Sequence, residues 1–238
     1  MILSNMSETA ETNKPEYSCD FCNRKFLRES TIAKHICEYK HRWQEKDKRG
    51  NQIGFQAWLQ FYKNHTANIK KSTYLDYIKS SYYTAFAKFG TYCYEINALN
   101  ISRYVDWLLK NKISIDNWNS DKNYTKYLVE YLRQEDPFDA LDRSITTCTD
   151  LCTEENILAN DYLKYGNKNK ICYAITLGKI SPWMLYHSEG GLKFLNTIDQ
   201  TQQKIIMDYI DPEKWAIKFK RNVDIVTKIK ELLDGGRF

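Results

Sequence analysis

Apolar positions recur at intervals of three and four along most of the chain, the period of helices with one face turned to a core. Between 73 and 89, Tyr74, Tyr77, Ile78, Tyr82, Ala85, Phe86 and Phe89 mark such a face, and Gly90 reads as its stop. Asn100 is placed to cap a helix over 101–111, where Ile101, Tyr104, Val105, Leu108 and Leu109 share one side. The same period predicts helices over 52–63, 122–134, 138–152, 155–165, 200–210 and 213–233. Pro137 and Pro212 open two of these, at first-turn positions where a missing N–H costs nothing, and Gly235-Gly236 closes the last. The segment 171–177 alternates large and small residues before Gly178 and is the best candidate for a strand or short hairpin. The stretch after Ser181-Pro182 shows no clear period.

Composition agrees with a mainly α chain. Only 9 Gly and 4 Pro occur in 238 residues, too few for a collagen-like, linker-rich or turn-dense all-β protein. At 42% hydrophobic and 14% aromatic the chain can bury a core, which excludes wholesale disorder. Tyr74, Tyr77, Tyr82 and Tyr83 can be read as base-stacking groups, but their helical spacing favours core positions. The six Trp are spread along the chain as expected of anchors between helices.

Charge divides the chain further. The net charge is +5, too small for a protein that coats nucleic acid along its whole length. Residues 14–49 carry ten basic and six acidic side chains, whereas 50–238 is nearly balanced. We therefore expect a flexible polar tail over 1–13, a small basic module over 14–49, and an aromatic-rich helical domain over 50–238, with Gly50 and Gly54 punctuating the boundary.

Cysteine and histidine locate the chemistry within that module. Of 7 Cys and 4 His, Cys19, Cys22, Cys37, His35 and His41 fall inside 23 consecutive residues. An odd Cys count argues for metal ligands and buried thiols over a disulfide framework. No basic start with an apolar stretch of signal-peptide length occurs, nor any run near 18 apolar residues, so a soluble intracellular protein without a membrane partner is expected.

Cys19-x2-Cys22, twelve residues, and His35-x5-His41 match the ligand spacing of structural zinc. Two thiolates on a tight turn and two imidazoles on a helix would complete a tetrahedral set around one zinc ion, with no position left for an activated water. So short a segment needs a metal to supply much of its folding energy. The His-x5-His spacing is wide, because residues six apart lie about 120° out of register on an ideal helix. The helix must then end or loosen between Cys37 and Lys40. Cys37 is a poor substitute ligand, since a residue two after His35 points about 200° away around the helix. The fourth ligand is therefore expected to be His41.

The segment resembles the two-Cys two-His zinc finger beyond its ligands. Tyr17, Phe26 and Ile32 stand where that family places its three core residues, which implies a ββα fold. Arg28, Thr31 and Lys34 fall at the positions that read bases in DNA-binding members, and Lys40 and Arg42 begin a basic run suited to phosphates. A single finger covers only about three base pairs, and Glu29 and Glu38 oppose phosphate contact, so protein binding and nucleic-acid binding both stand open for the finger. More of the chain resembles the baseplate hub assembly catalysts of T-even-like tailed phages, through Cys37-Glu38-Tyr39-Lys40-His41-Arg42, the segment 79–86 and the segment 178–183. That resemblance implies a non-enzymatic interaction protein that meets virion assembly components in the host cytoplasm.

Elsewhere, Cys148, Cys152 and Cys172 with His187 are either a second zinc site or, as we favour, core residues. Cys93, within Tyr92-Cys93-Tyr94, reads as a core or boundary residue, and His65 and His187 are isolated, with no recognisable nucleophile nearby. Without a Gly-rich phosphate loop, a His-Glu-x-x-His run or a Ser-centred elbow, no catalytic residues are assigned.

Overall fold

The structure, a computed structural model, describes residues 17–65, 72–236 and 238, so the tail expected over 1–13 lies outside the described residues. A two-stranded antiparallel hairpin, β1 (Tyr17–Ser18) and β2 (Lys25–Phe26), precedes a series of helices. They are α1 (Glu29–Lys34), α2 (Glu38–Gln44), α3 (Arg49–His65), α4 (Tyr74–Lys79), α5 (Tyr83–Glu95), α6 (Ile101–Lys110), α7 (Asp121–Gln134) and α8 (Pro137–Glu155). They continue as α9 (Tyr162–Tyr165), α10 (Lys168–Thr176), α11 (Pro182–Leu185), α12 (Glu189–Thr197), α13 (Gln200–Ile210), α14 (Pro212–Lys220) and α15 (Val223–Gly236). The protein is mainly α with a short N-terminal hairpin.

Local chemistry sets most helix starts. Asn100 caps α6 by accepting from the Arg103 amide, and Asp136 caps α8 from the position before Pro137. Thr73 with Asp76, and Asp199 with Gln202, form reciprocal capping boxes on α4 and α13. Two segments expected as single helices are each broken. The run 73–89 divides at Ser80, whose hydroxyl accepts from the Trp58 indole and from the Tyr82 amide. The run 213–233 divides at Arg221 and Asn222, where the Asn222 side-chain Nδ2 donates to the Lys218 carbonyl. The helix expected over 155–165 is also divided: α8 ends at left-handed Asn156, a 3₁₀ turn spans Ala159–Asp161, and α9 follows.

The segment 171–177 is not a strand but the body of α10. Its buried residues Ile171, Cys172, Ala174 and Ile175 follow helical spacing, while Tyr173 points outward, and Asn167 caps the helix by accepting from the Asn169 and Lys170 amides. The expectation followed the alternation of large and small residues, a short local pattern that packing and a cap readily override. Gly178 then turns the chain at φ +70°, where a Cβ would lie 2.7 Å from Leu99 and 2.8 Å from Leu128.

Gly50, Gly54 and Gly90 do not punctuate the chain either; they sit within α3 and α5 where the two helices cross. A Cβ on Gly90 would stand 2.0 Å from the Gly50 carbonyl oxygen and 2.4 Å from the Gly54 nitrogen. Backbone touches backbone here, so only glycine fits. Around the crossing, Tyr77, Phe86, Phe89, Tyr104 and Trp118 are fully enclosed and meet largely edge to face. A further part of the same core gathers Trp183, Trp215 and Phe194 under α10 to α15.

One ion pair lies inside. The Glu135 carboxylate, at the end of α7, meets Arg143 of α8 at 2.8 Å, and the Arg143 Nε donates to the Gly178 carbonyl. Burial pushes the Glu135 carboxyl up to about 7 despite the arginine. The folded state thus holds this proton more tightly than the unfolded chain, where a glutamate titrates near ~4.3. The resulting stability is complete below the unfolded value and is lost as pH rises through about 7. We expect the stability advantage of the wild type over Glu135→Gln to shrink between pH 5 and 7.5. Urea midpoints of the two proteins across that range check this, and a constant difference would contradict it.

Candidate metal centre

The hairpin brings the first two thiols together. Tyr17 pairs with Phe26 and Ser18 with Lys25, and between the strands the Cys19 amide donates to the Arg24 carbonyl at 3.0 Å. The Asn23 amide donates to the Cys19 carbonyl at 2.8 Å, and Asn23 adopts φ 58°, a left-handed position asparagine tolerates. This tight turn sets Cys19 and Cys22 on one side.

Helix α1 has six residues and stops at Lys34. His35 follows with extended backbone (φ −72°, ψ 119°), and Cys37 is extended too (φ −91°, ψ 165°) as the cap of α2. Side chains two apart on an extended chain point to the same side. His35 and Cys37 therefore face the hairpin together: the Cys22 Sγ lies 3.3 Å from the His35 Nε2, and the Cys19 Sγ lies 4.0 Å from the Cys37 Sγ. Ligand atoms of Cys19, Cys22, His35 and Cys37 all fall within 4.8 Å of one another, a group that can hold a metal ion.

The expected fourth ligand, His41, is not among these grouped atoms. His41 lies on α2 outside the group, exposed, with its Nε2 3.9 Å from Glu45. The rotation that disqualified Cys37 assumed a helix continuous through it, but that helix has already ended at Lys34. The Lys40 amide also donates to the Cys37 sulfur at 3.4 Å, an outer contact that steadies a thiolate.

The thiols influence one another. Burial works to raise the Cys19 thiol, but hydrogen bonds from the Cys22 and Phe21 amides hold it below its ordinary value. The Arg24 amide pulls Cys22 down, yet burial and the neighbouring Cys19 and Cys37 sulfurs together push it up. Three thiols this close resist ionising together unless a cation lies between them.

Of the three expected finger-core residues, Tyr17, Phe26 and Ile32 are half-buried, and the Phe26 ring lies 4.8 Å from the His35 imidazole. The sequence reading passed over Phe21. It meets Trp43 at 6.0 Å, Trp43 meets Tyr74 of α4 at 5.9 Å, and this chain of rings joins the hairpin to the helical body. Its signal was an aromatic inside Cys19-Asp20-Phe21-Cys22, where a turn seldom needs one.

The expected nucleic-acid residues separate into two sets. Arg28, Thr31 and Lys34 are exposed along α1. Lys40 instead donates to the His35 carbonyl at 3.2 Å. Arg42 donates to the Ile78 carbonyl at 2.6 Å, pairs with Glu38 and lies 4.3 Å over the Tyr83 ring. Its guanidinium fastens α2 to α4 and α5 and is not presented to a ligand.

Cys93, Cys148, Cys152 and Cys172 are buried in the core, and the Cys152 thiol donates to the Thr149 carbonyl. Among the described residues no second group of three or more ligand side chains forms. His187 packs at 4.4 Å on Phe219, and burial holds its imidazole below the ordinary range. No helix of the described residues is long and apolar enough to cross a membrane. Comparison of the chain with protein-family models, curated proteins and solved structures finds no match.

Proposed function

We propose that Cys19, Cys22, His35 and Cys37 hold one structural zinc ion, and that the finger closed by it is a protein-contact module of a non-enzymatic assembly factor. The four convergent ligand atoms carry the reading. A tetrahedron with Zn–S arms of ~2.3 Å has edges of ~3.8 Å, and the two sulfur and nitrogen separations of 3.3 and 4.0 Å bracket that length. Three thiolates and one imidazole are a common structural zinc set and leave no position for a reacting water.

Exposed apolar groups beside the site support a protein as the finger's partner. Leu27, just before α1, is 67% exposed, and Ile36, between the ligands His35 and Cys37, is 64% exposed. Bulky aliphatic groups held outward on a metal-stapled frame suit a partner's apolar surface better than a phosphate backbone. The finer reading, help in building a phage tail baseplate hub, rests on the sequence resemblance of 37–42, 79–86 and 178–183.

The test joins metal content with capture. The purified chain should carry about one zinc, and a Leu27→Asp/Ile36→Asp variant should keep that zinc while losing co-purification of a baseplate component from infected cells. Duplex DNA binding that weakens steeply with salt and is lost in Arg28→Ala/Lys34→Ala would instead identify a nucleic-acid module.

A further inference from the structure

Four cationic side chains line one open concavity of about 400 Å³ remote in sequence from the metal centre: Arg133, Lys214, Lys218 and Arg221, with Ile217 and Asn222. Among the described residues no acidic side chain lines it. Lys214, Lys218 and Arg221 follow one another at spacings of four and three, so they share a face of α14 and the turn after it, and Arg133 arrives from the last turn of α7. Like charges at these spacings repel.

Ordinary structural roles account for part of this cluster. Lys214 pairs with Asp211 at 2.6 Å. Lys218 donates to the Arg133 carbonyl, closing the end of α7, and its ammonium lies 5.7 Å from the Trp183 and 5.9 Å from the Trp215 ring centre. Burial holds the Lys218 ammonium below its ordinary value although Glu135 pulls it upward. Both helices end here, and a C-terminus favours cations. These roles leave the two guanidiniums unexplained. Among the described residues neither Arg133 nor Arg221 has a carboxylate within ion-pair distance, in a concavity that focuses positive potential.

We propose that this concavity is a phosphate-binding site in which Arg133 and Arg221 grip the anion and Lys214 and Lys218 supply the surrounding charge. Guanidinium forks match the spacing of phosphate oxygens and bind them in pairs. Asp211 pairs with Lys214, and Glu135, which pulls on Lys218, is already paired with Arg143, so four cations are left with less negative charge than they can hold, and a phosphate dianion meets that demand. A concavity of about 400 Å³ fits a single phosphate group or a small phosphomonoester. Ile217, 52% exposed at its wall, offers the organic part of an ester an apolar contact.

Calorimetric titration of the full chain with inorganic phosphate, and separately with phosphoserine, tests the proposal at pH 7.5 with ionic strength held constant by sodium chloride. One saturable site is expected, weakened at least tenfold in Arg133→Gln/Arg221→Gln and in the exposed single variant Arg221→Gln. Lys220→Gln, a neighbouring cation outside the concavity, should bind as the wild type does. Tighter binding of phosphoserine assigns the site to esters, and equal binding assigns it to the free anion. No saturable binding of either probe, or equal binding by Arg221→Gln and wild type, overturns the proposal.

Discussion

A Cys37→Ser variant is expected to purify with far less than one equivalent of zinc, while His41→Ala keeps the full equivalent. The Cys37 sulfur stands with the other three ligand atoms inside 4.8 Å, whereas His41 lies on the exposed side of α2 beside Glu45. Loss of an outer-shell partner lowers metal affinity by about ten- to a hundredfold. Removing a direct thiolate should exceed that. The consequence reaches folding, because the hairpin and α1 bury little: among residues 17–37 only Cys19 is buried. Structural zinc contributes on the order of 10–16 kcal/mol in finger peptides, so Cys37→Ser should also expose the 17–37 segment to proteolysis. The His41–Glu45 contact is a surface pair worth about 1 kcal/mol or less. Elemental analysis and chelator competition on both variants check the contrast; zinc lost from His41→Ala and retained by Cys37→Ser would reverse it.

Gly90→Ala is expected to be the most damaging single substitution in the helical body. The added Cβ meets the Gly50 carbonyl oxygen, the Gly54 nitrogen and the Gly54 Cα at 2.0, 2.4 and 2.9 Å. None of these is a side chain that can swing aside, so α3 and α5 must separate along their whole contact and loosen the rings around Trp118. Overpacking of ordinary sites costs about 1–3 kcal/mol. A backbone-to-backbone collision should reach or pass the upper figure, and for a chain of this size ~3 kcal/mol lowers the melting temperature by roughly 10 °C. Gly235→Ala is the control, because nothing lies within 4 Å of its Cβ position. There the better helix propensity of alanine leaves stability unchanged or slightly higher. Thermal unfolding of both variants decides the matter; equal melting temperatures for Gly90→Ala and wild type would refute the crossing.

Much of this was legible because it depends on near neighbours in sequence. The spacing of Tyr104, Val105 and Leu108 and the Asn100 cap marked α6 as it stands, and Cys19-x2-Cys22 with His35 marked three of the four grouped ligands. What was not legible depends on where a helix ends or on what lies across the core. The fourth position turned on α1 stopping at Lys34: had it run three residues further, Cys37 would point away. Gly50 and Gly90 looked like breaks because a glycine in a helix is unfavourable on its own account; the compensating contact is forty residues distant. The segment 171–177 looked extended because its buried face had to be chosen by α13 and the rest of the core, which no local window contains. Arg42 looked free for the same reason, since Ile78 and Tyr83 that hold it belong to other helices.

X-ray absorption at the zinc K-edge of the purified chain tests the central claim most directly. A first shell of three sulfurs at about 2.3 Å and one nitrogen near 2.0 Å is predicted. A shell of two sulfurs and two nitrogens, or a folded protein that retains no zinc, would contradict it.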